Sequence, residues 1–248
     1  MLIYGRNAVL EALRQGQTRR VLVARGVQPK VLAELRREAA RVGAEVEEVP
    51  RVQLDQALRT TQHQGVAAEL PEVETGELED AFALAASRGE RLLLVLLDHL
   101  TDPRNVGAIV RSAEALGAHG VITEERRSAP LSAVVVKASA GATSLLPVIV
   151  VKNLARTIEE LKERGVWVYG AAPAAAGAVR PEEVDWDRDA ALVIGSEGSG
   201  MRRLVAERCD GLVTIPMSGR IGSLNASVAA GVLLYAVARA RERAAAGG

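Results

Sequence analysis

Three short segments of the chain place polar side chains beside glycines, a combination suited to chemistry on a bound ligand. Residues 215–227 read IPMSGRIGSLNAS, a short apolar strand followed by a glycine-rich loop and a long apolar helix predicted to begin at Ser223. Glycines let the backbone approach a ligand closely, and a helix start leaves N–H groups unpaired. Ser223 and Asn225 add polar side chains there. We therefore expect this segment to line a ligand site.

Two upstream segments have the same character. Residues 102–111 read DPRNVGAIVR, and residues 192–200 read LVIGSEGSG. The second spaces its glycines as G-x-x-G-x-G rather than as the G-x-G-x-x-G of a dinucleotide-binding turn, and the sequence has no P-loop lysine pattern. No cluster of histidine and cysteine has the spacing of a metal site. Nicotinamide, ATP and zinc chemistry are disfavoured, and we expect no metal ion.

Composition bounds the class of protein. The 248 residues, 48% of them hydrophobic, can bury the core of one or two domains. Formal net charge is zero, which argues mildly against nucleic acid but is compatible with a local basic face. Cys209 is the only cysteine, which fits a reducing compartment. Residues 1–16 lack the apolar core of a signal peptide, and the longest apolar stretches are shorter than a membrane span of about 20 residues. We expect a cytoplasmic protein with no membrane partner.

The apolar pattern predicts a small α/β unit, a linker and a larger α/β unit. In residues 1–70 we predict helices over 5–15, 30–42 and 54–58, and strands over 21–24, 45–49 and 66–70. Residues 71–90 read as a linker, acidic and containing proline and glycine, followed by a leading helix over 77–87.

Residues 91–248 alternate strands and helices, a pattern typical of a parallel sheet. We predict strands over 91–97, 120–123, 147–151, 166–170, 191–194 and 212–215, and helices over 106–116, 131–140, 154–164, 201–208 and 223–243. Asn105 is predicted to cap the first of these helices. Loops at the carboxyl ends of parallel strands share one edge of the sheet, so we expect the polar segments to carry the site there.

In this order and spacing, the three segments resemble the three motifs of the SpoU branch of the SPOUT RNA methyltransferases. The resemblance runs from about Leu92 into the helix after Ser223. It implies an α/β fold whose C-terminal parallel sheet is tied into a trefoil knot, a homodimer, and S-adenosylmethionine as cofactor. It also implies methyl transfer to a ribose 2′-hydroxyl, the group that distinguishes RNA from DNA. Periodicity alone reaches only the doubly wound sheet, because knots are very rare.

The resemblance assigns a catalytic set, namely Asn105, Arg111, Glu197, Ser223 and Asn225. Arg111 stands where relatives carry an arginine proposed to help deprotonate the hydroxyl. A guanidinium is a very weak base, so two roles stay open. Arg111 either holds an RNA phosphate that takes the proton or stabilises the developing alkoxide. Glu197 is expected to orient Arg111 or Asn225 or to contact substrate; its alternative role is to complement the start of the helix over 201–208.

The resemblance also implies cofactor contacts, made mainly through the backbone. The predicted contacts are Gly195, Ile215, Met217, Ser223 and Leu224. Taken singly, Ile215 and Leu224 are compatible with ordinary core residues and Gly195 with a turn glycine. The helix after Asn225 is too apolar for a surface helix, which core burial explains in part. A homodimer interface explains the rest, and Arg111 would then be able to serve the partner's site.

Residues 1–70 resemble the ribosomal-protein-like substrate-binding domain of family members that act on ribosomal RNA, on the segments YGRNAV (4–9) and HQGV (63–66). This similarity points to the guanosine 2′-O-methyltransferases of 23S ribosomal RNA. A transfer-RNA 2′-O-methyltransferase and a non-catalytic ribosome-assembly factor are the alternatives. Arg6, Arg19 and Arg20 are the candidate RNA contacts, each equally compatible with a solvated charge. Aromatic residues make up only 2% of the chain, so shape and phosphate contacts must dominate RNA binding.

Overall fold

A computed structural model of the chain describes residues 2–14, 16, 18–70, 73–173, 177–220 and 222–247. The chain divides into two compact units, Met1–Glu72 and Val73–Gly248. Within the described ranges, no helix combines the length and the apolar character needed to cross a membrane.

The first unit is a four-stranded sheet with three helices. Its elements are β1 (Leu2–Tyr4), α1 (Arg6–Arg14), β2 (Arg20–Ala24), α2 (Pro29–Val42), β3 (Glu45–Val49), α3 (Arg51–Leu58) and β4 (Val66–Glu69). The strand order is β1-β4-β2-β3, with β2 parallel to β3 and β4 antiparallel to both β1 and β2. Helices α1 and α2 bury Leu13 and Leu35 on one face of the sheet, and α3 buries Leu54 on the other.

The second unit is an eight-stranded sheet covered by helices. Its elements are β5 (Thr75–Gly76), α4 (Leu78–Arg88), β6 (Leu93–Asp98), α5 (Pro103–Ala115), β7 (Gly120–Glu124), α6 (Ala133–Ala138), β8 (Val148–Val151), α7 (Leu154–Glu163), β9 (Trp167–Ala171), β10 (Ala178–Val179), β11 (Ala190–Gly195), α8 (Arg203–Arg208), β12 (Gly211–Val213) and α9 (Ala226–Gly247). The strand order is β10-β12-β9-β11-β6-β7-β8-β5, and every described strand pair of this sheet is parallel. The predicted parallel sheet is confirmed.

The strand β6 shows why the central strands read as continuous apolar runs. All six of its residues are buried, because helices cover both faces of the sheet. Leu93, Val95 and Leu97 pack in the layer that contains α5 and α9. Leu94 and Leu96 point the other way, into the layer that contains α4, α7 and α8. The core of the second unit is therefore two apolar layers, one on each side of the sheet.

Three predicted helix starts are wrong by three residues: α3 begins at Arg51 rather than at Leu54, and the other two lie beside the polar segments. Helix α5 begins at Pro103, and its N-cap is Asp102, whose carboxylate accepts from the N–H of Arg104 at 2.8 Å. Proline favours the first helical position, so the cap lies before it and Asn105 falls inside the first turn. Helix α9 begins at Ala226 rather than at Ser223. Although these two helix starts differ from the prediction, the polar side chains of Asn105 and Ser223 remain at the same edge of the sheet.

The start of α9 is fixed by the side chain of Asn225. Its Oδ1 atom accepts from the backbone N–H of Ser227 at 2.9 Å and from that of Val228 at 3.3 Å. This is N-cap geometry, so the residues before it stay outside the helix. Ser223 and Leu224 consequently belong to the loop that leads into α9.

The segment predicted as linker and leading helix contributes to the second unit. Thr75 and Gly76 form the edge strand β5, which pairs in parallel with β8. Helix α4 buries Leu78 and Ala81 in the core of that unit. Residues 71 and 72, also part of the predicted linker, lie outside the described residues.

His119 links the start of β6 to the end of α4. Its Nδ1 atom accepts from the N–H of Leu93 at 3.0 Å, and its Nε2 atom lies 3.0 Å from a carboxylate oxygen of Glu90. Burial of the ring lowers the pKa of His119 below its ordinary value of 6.5, against the opposing effect of Glu90. The unfolded chain therefore binds this proton at a higher pH than the folded chain, and stability falls as the pH drops below about 6.5.

We expect His119→Gln to reduce this pH dependence. Wild-type stability should fall between about pH 7 and pH 5 more steeply than that of the variant, because the variant has no buried imidazole to protonate. Urea unfolding at several pH values measures both slopes. Arg91→Gln, an exposed variant, should keep the wild-type slope. Equal slopes for wild type and His119→Gln would contradict the assignment.

Candidate active site

Asn105, Glu197 and Asn225 form a hydrogen-bonded group, here called the amide–carboxylate cluster. Glu197 Oε1 accepts from Asn105 Nδ2 at 2.8 Å and from Asn225 Nδ2. Asn225 Nδ2 also donates to Asn105 Oδ1 at 3.1 Å. The structure thus brings together three of the predicted catalytic residues, one from each polar segment.

The parallel sheet is what brings the three segments to one place. Strand β11 pairs with β6 so that Gly195 lies opposite Asp98, and the loops that follow the two strands start side by side. Asn105 lies in the first turn of α5 and Asn225 caps α9, and these two helices pack in the same layer. Glu197 Oε1 lies 3.4 Å from the N–H of Ala226, so this carboxylate complements the start of α9 rather than that of α8.

The glycine spacing of the loop after β11 follows from its backbone. Ser196 and Gly200 exchange two backbone hydrogen bonds of 3.0 Å, closing a tight loop around Glu197. Gly198 and Gly200 have φ values of +86° and +66°, which favour glycine. A Cβ atom on Gly195 would lie 2.3 Å from the backbone of Gly200. The G-x-x-G-x-G pattern therefore has two causes. Gly195 lies too close to the Gly200 backbone for a side chain, and Gly198 and Gly200 adopt left-handed backbone conformations.

A buried ion network anchors the far end of this loop. Asp98 is fully buried, and Arg202 donates to it from the backbone N–H at 2.7 Å and from Nε at 2.6 Å. Arg202 Nη2 donates to Glu124 at 2.6 Å, and Glu124 accepts in turn from the N–H of Leu154 at 2.9 Å. Burial opposes the charge, but hydrogen bonds to Glu124 and Asp98 raise the pKa of Arg202 above its ordinary value.

This network was missed in the sequence. The one available signal is Asp98 itself, a carboxylate directly after a continuously buried strand, which requires a partner. Asp98, His99 and Glu124 also offer ligand atoms that all lie within 4.8 Å of one another, a spacing that could hold a metal ion. The guanidinium of Arg202 already bonds both carboxylates, so a metal ion would compete with it. The absence of a metal stays a prediction.

A cavity opens at the carboxyl ends of β9, β11 and β12, beside the amide–carboxylate cluster. It encloses about 160 Å³. All five residues predicted to contact a cofactor line it, and further lining residues include Ala171, Pro173, Ile194, Val213 and Leu233. Ala171 and Pro173 were not among the predicted contacts, since the segment after β9 has no polar motif.

The chemistry of this cavity suits a cation that carries an apolar group. Ile215, Met217 and Leu224 give it apolar walls, and Met217 is 40% exposed at its rim. Glu197 lines the same space with a carboxylate. Apolar walls fit an aromatic ring, and a carboxylate favours positive charge.

The remaining two predicted catalytic residues lie outside the cluster. Arg111 is exposed on α5, six residues after Asn105, which places it about 9 Å further along the helix axis. In the part of the chain that the structure describes, its side chain has no hydrogen bond or ion pair. Glu197 therefore contacts Asn225 and not Arg111 within one chain. Ser223 is exposed and lines the cavity.

The predicted RNA contacts of the first unit differ in their surroundings. Arg6 donates to Glu34 at 2.6 Å, and Arg20 donates to Glu47 at 2.6 Å. Hydrogen bonding to Glu47 raises the pKa of Arg20. Arg19 is exposed and has no ion pair with any residue that the structure describes. Exposed ion pairs are weak, so Arg6 and Arg20 remain able to exchange a carboxylate for a phosphate.

Comparison with protein families gives two matches that together span most of the chain. The SpoU rRNA Methylase family matches residues 92–235. The family described as RNA 2′-O ribose methyltransferase substrate binding matches residues 2–76.

Individual relatives agree with these matches. YacO of Bacillus subtilis (strain 168), named as a TrmH family tRNA/rRNA methyltransferase, is 44% identical over 240 residues, covering 96% of this chain and 95% of that protein. An uncharacterized tRNA/rRNA methyltransferase of Mycobacterium bovis (strain BCG) is 44% identical over 243 residues, covering 97% and 74%.

Solved structures give the same result. The SpoU methyltransferase AviRb from Streptomyces viridochromogenes, in complex with AdoMet, is 27% identical with a TM-score of 0.63, covering 98% of this chain and 91% of that one. The TrmH/SpoU tRNA modifying enzyme of A. aeolicus is 30% identical with a TM-score of 0.57, covering 63% and 78%.

We expect Gly195→Ala to destabilise the protein by about 1–3 kcal/mol, because the new methyl group meets the backbone of the closed loop. Gly222→Ala is the matched control, since its Cβ would meet open space and its φ is not left-handed. The control should stay within about 0.5 kcal/mol of wild type. Urea unfolding of the three proteins provides the measurement, and equal stabilities would show that the close approach at Gly195 is absent.

Proposed function

Since the chain belongs to the SpoU rRNA methylase family, we propose that it methylates the ribose 2′-hydroxyl of a guanosine in 23S ribosomal RNA. The membership itself makes the protein an S-adenosylmethionine-dependent tRNA/rRNA methyltransferase. The observation that carries the proposed chemistry is the amide–carboxylate cluster beside an apolar cavity. The choice of 23S ribosomal RNA rests on the similarity of the first unit to the substrate-binding domain of ribosomal-RNA enzymes.

The cavity residues would hold the cofactor, which supplies a methyl group already activated by the positive charge on its sulfur. Gly195, Ile215 and Leu224 would contact it mainly through the backbone, with Met217 and Ser223 close by. The apolar walls suit its adenine, and the Glu197 carboxylate favours its positive charge.

The cluster leaves specific atoms free for the RNA. Asn225 donates to both Glu197 and Asn105, and its oxygen caps α9, so Asn225 serves mainly to position the other two. Glu197 bonds the cluster through Oε1 and has no described hydrogen bond on Oε2. We assign Glu197 Oε2 and the second amide hydrogen of Asn105 to the ribose hydroxyls. Fixing the 2′-oxygen in this way aligns it for attack on the methyl group.

The proton of the 2′-hydroxyl must leave as the new oxygen–carbon bond forms. Glu197 is a stronger base than a guanidinium, and an RNA phosphate is the other available acceptor. Arg111 then acts through its charge, either by holding that phosphate or by stabilising the alkoxide. Its distance from the cluster along α5 supports a role in the site of a second subunit.

An exposed apolar stripe on α9 supports the homodimer. Val228, Val232 and Tyr235 are 50%, 42% and 58% exposed, and their spacing places them on one face of the helix. The opposite face buries Leu234 and Val237 in the core. An exposed apolar stripe of this kind is typical of an association surface. We assign it to the homodimer interface, close to the amide–carboxylate cluster at the start of the same helix.

Two other functions stay open as alternatives. The relatives are named for both transfer and ribosomal RNA, so a tRNA substrate fits the same site. A non-catalytic RNA-binding assembly factor fits the fold. The Glu197 Oε2 atom, which has no described hydrogen bond, and the second amide hydrogen of Asn105 favour an enzyme, because the structural role of the cluster does not require them.

We place the reaction in the cytoplasm, where ribosomal RNA is found. The single thiol of the chain suits a reducing compartment. Cys209 Sγ lies 3.3 Å from the carbonyl of Val205, and burial raises the pKa of Cys209 to about 12. The thiol therefore stays protonated and unreactive at neutral pH.

We expect radiolabelled methyl from S-adenosylmethionine to enter protein-free 23S ribosomal RNA, with 2′-O-methylguanosine as the labelled nucleoside. Small-subunit RNA and tRNA should stay unlabelled. Glu197→Gln should lower the rate about 100-fold or more, while Glu207→Gln, a change at an exposed surface carboxylate, should not. Labelling of tRNA alone would overturn the substrate. Cofactor binding without transfer to either RNA would favour the assembly factor.

We expect a dimer of one Arg111→Ala and one Asn225→Ala subunit to recover about half of the wild-type rate. If Arg111 serves the partner's site, one of the two sites in this dimer carries neither substitution. Each homodimeric variant should be inactive. Differently tagged subunits allow the mixed dimer to be purified before the methyl-transfer assay. A mixed dimer as inactive as the two parents would show that Arg111 acts within its own chain.

A further inference from the structure

A second cavity, here called the basic cavity, opens on the same unit and encloses about 300 Å³. Its lining includes four cationic side chains and one carboxylate, together with His99; the cations are Arg126, Arg127, Lys152 and Arg202. We propose that the basic cavity binds a backbone phosphate of the RNA substrate. The proposal rests on the methyltransferase function and adds a binding site remote from the reacting ribose.

The position of the basic cavity suits an extended strand of RNA. His99 follows β6, Arg126 follows β7 and Lys152 follows β8, so the cavity lies at the carboxyl ends of these strands. The cavity beside the amide–carboxylate cluster, here called the cofactor cavity, lies at the carboxyl ends of β9, β11 and β12, along the same edge of the sheet. The loop after β11 separates them, with Gly200 lining one cavity and Arg202 lining the other. RNA lying along this edge can therefore contact both.

The charges of the basic cavity are unbalanced. Arg126, Arg127 and Lys152 are exposed, and none of them has an ion pair or hydrogen bond with a residue that the structure describes. Arg202 is already paired with the nearby carboxylates. Three unpaired cations around one cavity attract an anion. In a chain with no net charge, this concentration supplies the local basic face that an RNA-binding protein requires.

The backbone of the lining contains two unusual conformations. His99 and Arg127 have φ values of +57° and +62°, two of only five positive values among the described non-glycine residues. Such conformations are costly and concentrate at ligand sites. His99 Nε2 is buried without a hydrogen-bond partner and lies 3.7 Å from Glu124. A phosphate oxygen would give this nitrogen the partner that it lacks.

The lining chemistry favours the RNA backbone over a base. Guanidinium groups match the geometry of phosphate oxygens, and an ammonium group adds a compact charge. None of the lining residues is a phenylalanine, tyrosine or tryptophan, so the cavity lacks the large aromatic platforms typical of base-binding sites. The contact would be independent of base sequence and would fix the register of the RNA on the enzyme.

The test is RNA affinity in the double variant Arg127→Gln/Lys152→Gln. The matched control is Arg88→Gln/Arg91→Gln, which removes two exposed cations near the amino end of β6, at the opposite edge of the sheet. We expect the cavity variant to bind a 23S ribosomal RNA fragment about tenfold more weakly. The slope of log K against log salt should fall by about 0.7, because the cavity neutralises one phosphate and each single-stranded phosphate contact contributes about 0.7. S-adenosylmethionine affinity should be unchanged in both variants.

Equal RNA affinity and salt slope in the two variants would overturn the proposal. So would a loss of affinity for inorganic phosphate with no change in RNA affinity, since the occupant would then be a small anion. The same titrations with tRNA separate this site from the choice of substrate. Weakened binding of tRNA, with no binding of 23S ribosomal RNA by any protein, would support the basic cavity while contradicting the 23S assignment.

Discussion

The buried carboxylate of Asp98 is the constraint on which the functional edge of the sheet depends. A charge at the end of the central strand β6 has no access to water, so it must be paired and hydrogen-bonded. Arg202 meets that need with its backbone and its guanidinium, and reaches Glu124 as well. The loop between β11 and Arg202 is thereby fixed at both ends. Glu197 is presented from this loop, and the two cavities lie on either side of it.

The sequence predicts the second unit well because its strands are buried on both faces. A strand such as Leu93–Asp98 can be recognised because its apolar residues are continuous. The glycines of residues 195–200 mark a tight loop, because their positions require a close backbone approach or a positive φ. The strands β1 and β10 have only three and two residues, which is too short to show periodicity, and they were missed. The cap at Asn105 was predicted wrongly because Asp102 and Pro103, as N-cap and first helical residue, together start the helix three residues earlier.

Interactions between distant segments account for what sequence reasoning missed. Arg202 donates to Asp98 although 104 residues separate them in the sequence, and the local sequence around either residue does not predict this pairing. The basic cavity draws its cations from three separate loops, so an overall charge of zero conceals it. The partners of Glu197 were among the predicted alternatives, but the choice of Asn225 over Arg111 required the packing of α9 against α5. The knot and the second subunit stay predictions.

One edge of the sheet carries two cavities, and the two are under different evolutionary constraints: one would bind a constant cofactor and the other a variable RNA. The loops after β9, β11 and β12 line the cavity that we propose for the cofactor, whose structure does not vary, so substitutions there would be costly. Loops after β7 and β8 touch none of it and are free to vary in length and charge. Changes at Arg126, Arg127 or Lys152 would therefore alter the strength and the register of RNA binding without rebuilding the proposed cofactor site. Arg202 is the exception, since its loss would disturb both cavities at once.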